Sequence, residues 1–97
     1  MLSFIVPAHN EEFELSSTLA AIHAAASEAA ELYEIVVVDD ASTDATPEIA
    51  ARAGAKVIRI IRRQIAAARN AGARASNGEY LLFVLGHSFP YVLISTR

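Results

Sequence analysis

An α/β domain, with an open three-layer architecture around a parallel sheet in strand order 3-2-1-4, is the fold class the sequence predicts. Three observations predict it. Four short apolar runs, around Ile5, Val37, Ile58 and Leu82, alternate with segments of helical spacing. The run Ile35, Val36, Val37, Val38 is continuous rather than alternating, as in a parallel strand covered on both faces. The intervening helical segments are about 10 to 20 residues long, which suits right-handed crossovers between parallel strands. Connectivity is therefore βαβαβαβ, and three crossovers with one reversal of direction give the order 3-2-1-4. The first two helices then share one face of the sheet, and the third lies on the other.

Taken in order, Phe4, Ile5 and Val6 form a short strand closed by Pro7. Asn10 is the expected N-cap of a helix reaching to about Ala30, with Glu11, Glu12 and Glu14 in its first turn and Leu15, Leu19, Ile22 and Ala26 on one face. The second strand, "YEIVVVDD", ends in Asp39 and Asp40. Thr46 as N-cap, Pro47 at the first helical position and Gly54 beyond the end bracket a short second helix. "AKVIRII" is the third strand. The alanine-rich stretch from Gln64 to about Ser76 is a third helix whose small residues permit close approach to the sheet, and Asn77 and Gly78 turn the chain into a fourth strand through Val84. "YVLIST" has strand-like composition directly after Pro90, and both a hairpin return and a frayed tail are compatible with it.

Composition narrows the function. A chain of 97 residues makes one small domain, and 54% hydrophobic against 20% charged residues places it among globular proteins. Net charge is −3 and the arginines are spread over several elements, so nucleic acid is not an expected partner, although a local anion site is allowed. There is no cysteine, hence no disulfide or thiolate metal site. His9, Asn10, Glu11 and Glu12 interrupt the first apolar run too early for a signal peptide, and no apolar stretch approaches the ~20 residues of a membrane span. A cytoplasmic location is expected.

Candidate chemistry sits at or just after the carboxyl ends of strands, where open α/β sheets bind ligands. Residues 7–10, the pair Asp39 and Asp40, and the pair Arg69 and Asn70 all fall there. An ionised carboxylate accepts hydrogen bonds without donating, so one in a crevice suits the N3–H of uracil or a ribose hydroxyl; an Asp after a strand equally well caps the next turn. Arg62, Arg63 and Arg69 near the entry of the third helix suit a diphosphate or a base carbonyl, against the plainer reading of a solvated helix face. His23 is expected on a helix surface, and neither it nor His9 has the company of a metal ligand. No G-x-G-x-x-G follows the first strand and no P-loop motif occurs, so dehydrogenase and P-loop readings fail.

"SFIVPAHNEE", "YEIVVVDDASTDATPEIA" and "QIAAARNAGARASNGEYLLFV", in this order and spacing, resemble the N-terminal half of the family 2 glycosyltransferases of GT-A fold. The resemblance covers residues 2–84. It implies a nucleotide-diphosphate sugar as partner, with uridine as the expected base: Pro7, Ala8 and His9 would pack against the base, Asp40 would receive the uracil N3–H, and Arg69 would lie close to the nucleotide. The family carries an Asp-x-Asp motif after the fourth strand that holds Mg²⁺ or Mn²⁺ against the diphosphate, and here Leu85, Gly86 and His87 stand in its place. No metal site, cofactor or catalytic residue is therefore expected in this chain. The expected division is residues 1–84 as the N-terminal half of a glycosyltransferase domain and 85–97 as an atypical tail, consistent with a truncated, inactive remnant that self-associates through uncovered apolar sheet surface. A receiver-like signalling domain and a non-catalytic interaction module are the alternatives. "IVVVDDAS" resembles a receiver's acidic pair, but that pair belongs after the first strand.

Overall fold

The computed structural model describes residues 1–84 and 92–96. Leu85, Gly86 and His87, the departure from the family's acidic motif, lie outside the described residues. Eight elements follow one another: β1 (Leu2–Ala8), α1 (Leu15–Glu28), β2 (Tyr33–Asp40), α2 (Thr46–Arg52), β3 (Lys56–Ile60), α3 (Ile65–Ala75), β4 (Tyr80–Val84) and β5 (Val92–Thr96). The sheet order is β3-β2-β1-β4-β5. β1 is central and parallel to both neighbours, Ile5 lying opposite Val36 on one side and Phe83 on the other. The expected order 3-2-1-4 is thus present. It is extended by β5, which runs antiparallel to β4 with Leu82 opposite Ile94, so the sheet is mixed rather than wholly parallel and Val92–Thr96 is a strand rather than a frayed tail.

Because side chains alternate across a strand, the two faces of the sheet receive different cores. Phe4, Val6, Ala8, Ile35 and Val37 meet Leu15, Leu19, Ile22 and Ala26 of α1 and Ala50 of α2. On the opposite face Ile5, Val36, Val38 and Leu81 meet Ala68 and Ala71 of α3. α1 and α2 share a face and α3 covers the other, the three-layer arrangement expected from the crossovers.

Three local expectations are corrected. Asn10 is not the N-cap of α1; it sits at φ 49° and the helix begins at Leu15, after a turn in which the Leu15 N–H donates to the Glu11 carbonyl at 2.9 Å. The Asn10 side chain is instead used across the sheet end, its Oδ1 accepting from the Thr43 N–H at 2.8 Å. Thr46 is the first residue of α2 rather than its N-cap, which is Ala45, and its N–H donates to Asp44 Oδ1 at 2.9 Å. His23 is half-buried and bonded rather than free on the helix surface. Its Nε2 donates to the Ala53 carbonyl at 2.8 Å, which leaves Nδ1 of the neutral ring to accept from the Tyr33 hydroxyl at 2.6 Å, and so ties α1 to β2 and to the end of α2.

α3 approaches the sheet over Gly72, where a β-carbon would overlap the γ-methyl of fully buried Ile5 and stand 3.1 Å from Val38 Cγ2. Gly→Ala inside a helix ordinarily gains up to about 1 kcal/mol, whereas overpacking a rigid branched side chain costs about 1–3 kcal/mol. Overpacking wins here. Gly72→Ala is expected to lower the midpoint of urea unfolding, and a neutral or raised midpoint would show that α3 stands further from β1.

Candidate active site

β2 delivers two consecutive acids to the carboxyl end of the sheet, and the strand pleat sends them to opposite faces. Asp39 joins the α1/α2 side, fully buried, with Arg59 Nε 3.3 Å from its Oδ2. The same guanidinium donates through Nη2 to the Ser42 carbonyl at 3.2 Å, so this pair braces the loop after β2. Asp40 faces the α3 side. Its Oδ1 accepts the N–H groups of Arg62 and Arg63 at 2.9 and 2.8 Å, and its Oδ2 accepts that of Gln64 at 3.1 Å. Three successive amides of the β3–α3 turn converge on one carboxylate because Arg63 takes a left-handed φ of 50°. Asp40 does cap a turn, but the distant one before α3 rather than the one that follows β2.

Burial pushes the Asp40 carboxyl upward, yet the N–H groups of Arg63, Arg62 and Gln64, helped by the Arg63 charge, outweigh it and hold the group below its ordinary value. Asp44 is likewise held low: burial raises it, and the Thr46 hydroxyl and N–H together with the Glu12 N–H outweigh that.

The loop after β1 is locked to the same place. His9 Nδ1–H donates to the Asp40 carbonyl at 2.7 Å, which makes Nε2 the acceptor for Asn10 Nδ2 at 3.2 Å. The Asn10 N–H donates to Ser42 Oγ at 2.9 Å, and the Glu11 N–H to Thr46 Oγ1 at 2.8 Å. The two loops also exchange bonds at Glu12, whose N–H reaches Asp44 Oδ2 at 3.3 Å while its Oε2 accepts the Ala45 N–H at 3.1 Å.

Between these loops and α3 lies a cavity of about 400 Å³. Pro7, Ala8, His9, Asp40 and Arg69, the five residues singled out from the sequence, all line it. Arg69 contributes a buried Nε that has no hydrogen-bond partner among the described residues. Asp39 and Asn70 are not brought to this cavity; Asn70 borders a separate depression on the flank of α3. Of the arginines read as suiting a diphosphate, Arg63 also lines the cavity while Arg62 borders the separate depression; Glu11 and Gln64 line the cavity without having been singled out, and the Ser-Thr-Asp run after Asp40 is the signal that marks where the loops interlock.

Among the described residues the cavity offers few donors for a divalent cation. Among the described lining residues the carboxylates are Asp40, already accepting three amides, and Glu11. Among the described residues no group of three or more His, Asp or Glu side chains is placed to hold a metal.

Comparison with known proteins agrees with this geometry. The family model described as glycosyl transferase family 2 matches residues 3–89. The chain belongs to that family. An uncharacterized glycosyltransferase of Haemophilus influenzae is 31% identical over 88 residues, which is 87% of this chain and 28% of the relative. Among solved structures, the glucosyl-3-phosphoglycerate synthase of Mycobacterium tuberculosis, in complex with Mn²⁺, uridine diphosphate and glucosyl-3-phosphoglycerate, superposes with a TM-score of 0.74 at 27% identity, over 87% of this chain and 32% of that one. TarS residues 1–349 of S. aureus gives 0.70 at 31% identity, over 86% and 26%. The mannosyl-3-phosphoglycerate synthase of Rubrobacter xylanophilus gives 0.75 over 84% and 29%, and at 24% identity it supports the fold alone. This chain therefore spans less than a third of the length of these relatives. The receiver-like reading falls, since the acidic pair ends β2 and Ile61, Arg62 and Arg63 follow β3 where a receiver has its phosphoacceptor. Among the described residues no helix of this family member is long and apolar enough to cross a membrane.

The depressed Asp40 sets a pH dependence. A carboxyl whose folded pKa lies below its unfolded value contributes stability that is complete above the unfolded pKa and is lost as pH falls through the folded one. The ordinary value is 3.8, so the loss is expected below that pH. Asp40→Asn turns one acceptor into a donor facing donors, and is expected to cost about 1–3 kcal/mol at pH 7. In urea unfolding from pH 7 to pH 3, the gap between wild type and Asp40→Asn should be constant above about pH 5 and narrow below pH 3.8. A gap that widens toward acid would contradict the assignment.

Proposed function

We propose that the cavity binds the uridine diphosphate part of a nucleotide sugar, and that these residues supply nucleotide recognition rather than sugar transfer. The observation that carries the reading is the state of Asp40. A carboxylate offers about four acceptor positions; three are used by the β3–α3 turn, and the fourth, on Oδ2, remains for a donor such as the uracil N3–H. The base would lie against Pro7, Ala8 and His9, a segment tethered by the His9 ring to the Asp40 carbonyl and by the following Asn10 N–H to Ser42. An oxygen of the base or the diphosphate would provide the acceptor that buried Arg69 Nε lacks. The uridine diphosphate in the mycobacterial synthase supports this choice of base.

On this reading the described residues bind the nucleotide without metal, because the donors they bring to the cavity do not make a hard-cation site. Mg²⁺ or Mn²⁺ accompanies the nucleotide in the mycobacterial synthase structures. Choice of sugar and acceptor, and the chemistry of transfer, are assigned to residues other than those described. Residues 1–84 then form the nucleotide-binding half of the domain.

Calorimetry or chemical-shift titration with UDP, uridine and ADP checks the proposal. UDP is expected to bind at ~0.1 to 1 mM, given few contacts, and ADP more weakly. Mn²⁺ should alter the UDP affinity by less than about twofold, since the described residues offer no hard donor set. Asp40→Asn, confirmed as folded by its NMR spectrum, should weaken UDP by about tenfold, and Arg69→Ala by less. Equal affinity of the folded Asp40→Asn variant, strong metal dependence, or sugar transfer by this chain would overturn it.

A further inference from the structure

The chain is acidic overall, but its charge is segregated. Of 8 lysines and arginines, Lys56, Arg59, Arg62, Arg63, Arg69 and Arg74 fall between residues 56 and 75, and that stretch contains no Asp or Glu. It folds into β3 and α3, at one edge and one face of the sheet. Among the described residues Arg59 finds an acid, the inward-facing Asp39, whereas Arg62 and Arg74 have no ion-pair partner within 4.0 Å.

Arg62 and Arg74 border a depression of about 290 Å³ on the flank of α3, distinct from the cavity that Asp40 lines. Gln64 and Asn70 add amide groups to its wall, and Ile60 and Ala67 give it an apolar floor. Gln64 is common to both hollows. Nothing in the nucleotide reading uses the Arg62 or Arg74 side chains, and among the described residues neither side chain makes a hydrogen bond that caps a helix or braces a loop.

Two guanidiniums and two amides around one concavity, with no carboxylate among its lining residues, form a donor-rich wall for a polyatomic anion. Forked guanidinium donors match phosphate oxygens in geometry as well as charge. A chain of net charge −3 that keeps a pocket of this kind free of acids has an uncompensated positive field there, which favours a multiply charged anion over chloride. We propose that this depression is a second anion site, taking a phosphate or diphosphate group independently of the nucleotide. Exposed Ile61 and Ile65 beside the arginines allow that group to be a lipid headgroup as well as a free phosphorylated compound.

Inorganic pyrophosphate is the probe, titrated into ¹⁵N-labelled full chain in 150 mM NaCl with uridine present in excess to occupy the nucleotide cavity. Salt at this level screens diffuse attraction beyond about 8 Å. Shifts are expected at Arg62, Gln64, Asn70 and Arg74 with uridine resonances undisturbed. Arg62→Gln and Arg74→Gln should each weaken pyrophosphate by about threefold and together by about tenfold. Arg74→Gln should leave uridine affinity unchanged. Sedimentation with phosphatidylglycerol vesicles separates the sources: capture that Arg74→Gln reduces identifies a headgroup, and pyrophosphate binding without capture identifies a soluble phosphorylated ligand. Shifts spread equally over Arg52 and the other arginines, shifts displaced by uridine, or indifference to the double substitution would overturn the proposal.

Discussion

One carboxylate organises the carboxyl end of this sheet. Asp40 terminates the strand next to the centre, and its side chain gathers three consecutive amides from the turn that leaves β3 and enters α3. Its own carbonyl receives His9 from the loop after β1. Without these bonds the turn would present unpaired N–H groups near a buried strand end, at about 1–3 kcal/mol each. The cavity exists because its two walls are fastened to the same residue. This also explains why the position suits a carboxylate better than an amide: every neighbour is a donor.

The remaining loops follow a similar logic with smaller parts. Asn10, Glu12, Ser42, Asp44 and Thr46 exchange backbone and side-chain bonds so that the β1–α1 and β2–α2 loops hold one another. Asp39 and Arg59 brace the same region from the other face. The base platform proposed at Pro7, Ala8 and His9 is accordingly rigid before any ligand arrives, and a preorganised site loses less ordering entropy on binding. At the opposite end of the sheet, Glu34 accepts the Ser3 hydroxyl at 2.6 Å and the Asn77 N–H, fixing where α3 hands over to β4. The register that aligns the site is therefore pinned at both ends.

Much of this is legible in the residues. Continuous Ile35, Val36, Val37 and Val38 announce a strand with two covered faces, and the structure places them alternately in the two cores. The small residues of the alanine-rich third helix announce its close approach to the sheet. Caps are less legible: Asn10 and Thr46 have the right chemistry, but the bond that claims Asn10 comes from Thr43, more than thirty residues away, and local pattern does not register such partners. His23 is misplaced by pattern for the same reason, since its role depends on Tyr33 and on the carbonyl of Ala53. Arg69 lies within α3, beyond any strand end, and the family resemblance rather than the sheet pattern points to it beside the nucleotide, but that Pro7, Ala8, His9 and Asp40 stand at strand ends is predictable. That Asp40 spends three acceptor positions on the turn before α3 is not, because the left-handed turn at Arg63 leaves no mark in an arginine.

Amide hydrogen exchange at Arg62, Arg63 and Gln64 tests the central role of Asp40 most directly. These groups lie in a turn outside any helix or strand, so backbone pairing offers them no protection, and the Asp40 carboxylate is what shields them. All three are expected to exchange slowly at neutral pH in wild type and quickly in Asp40→Ala, while amides of β1 and β2 stay protected in both. Fast exchange at these positions in wild type, with the sheet intact, would contradict that role.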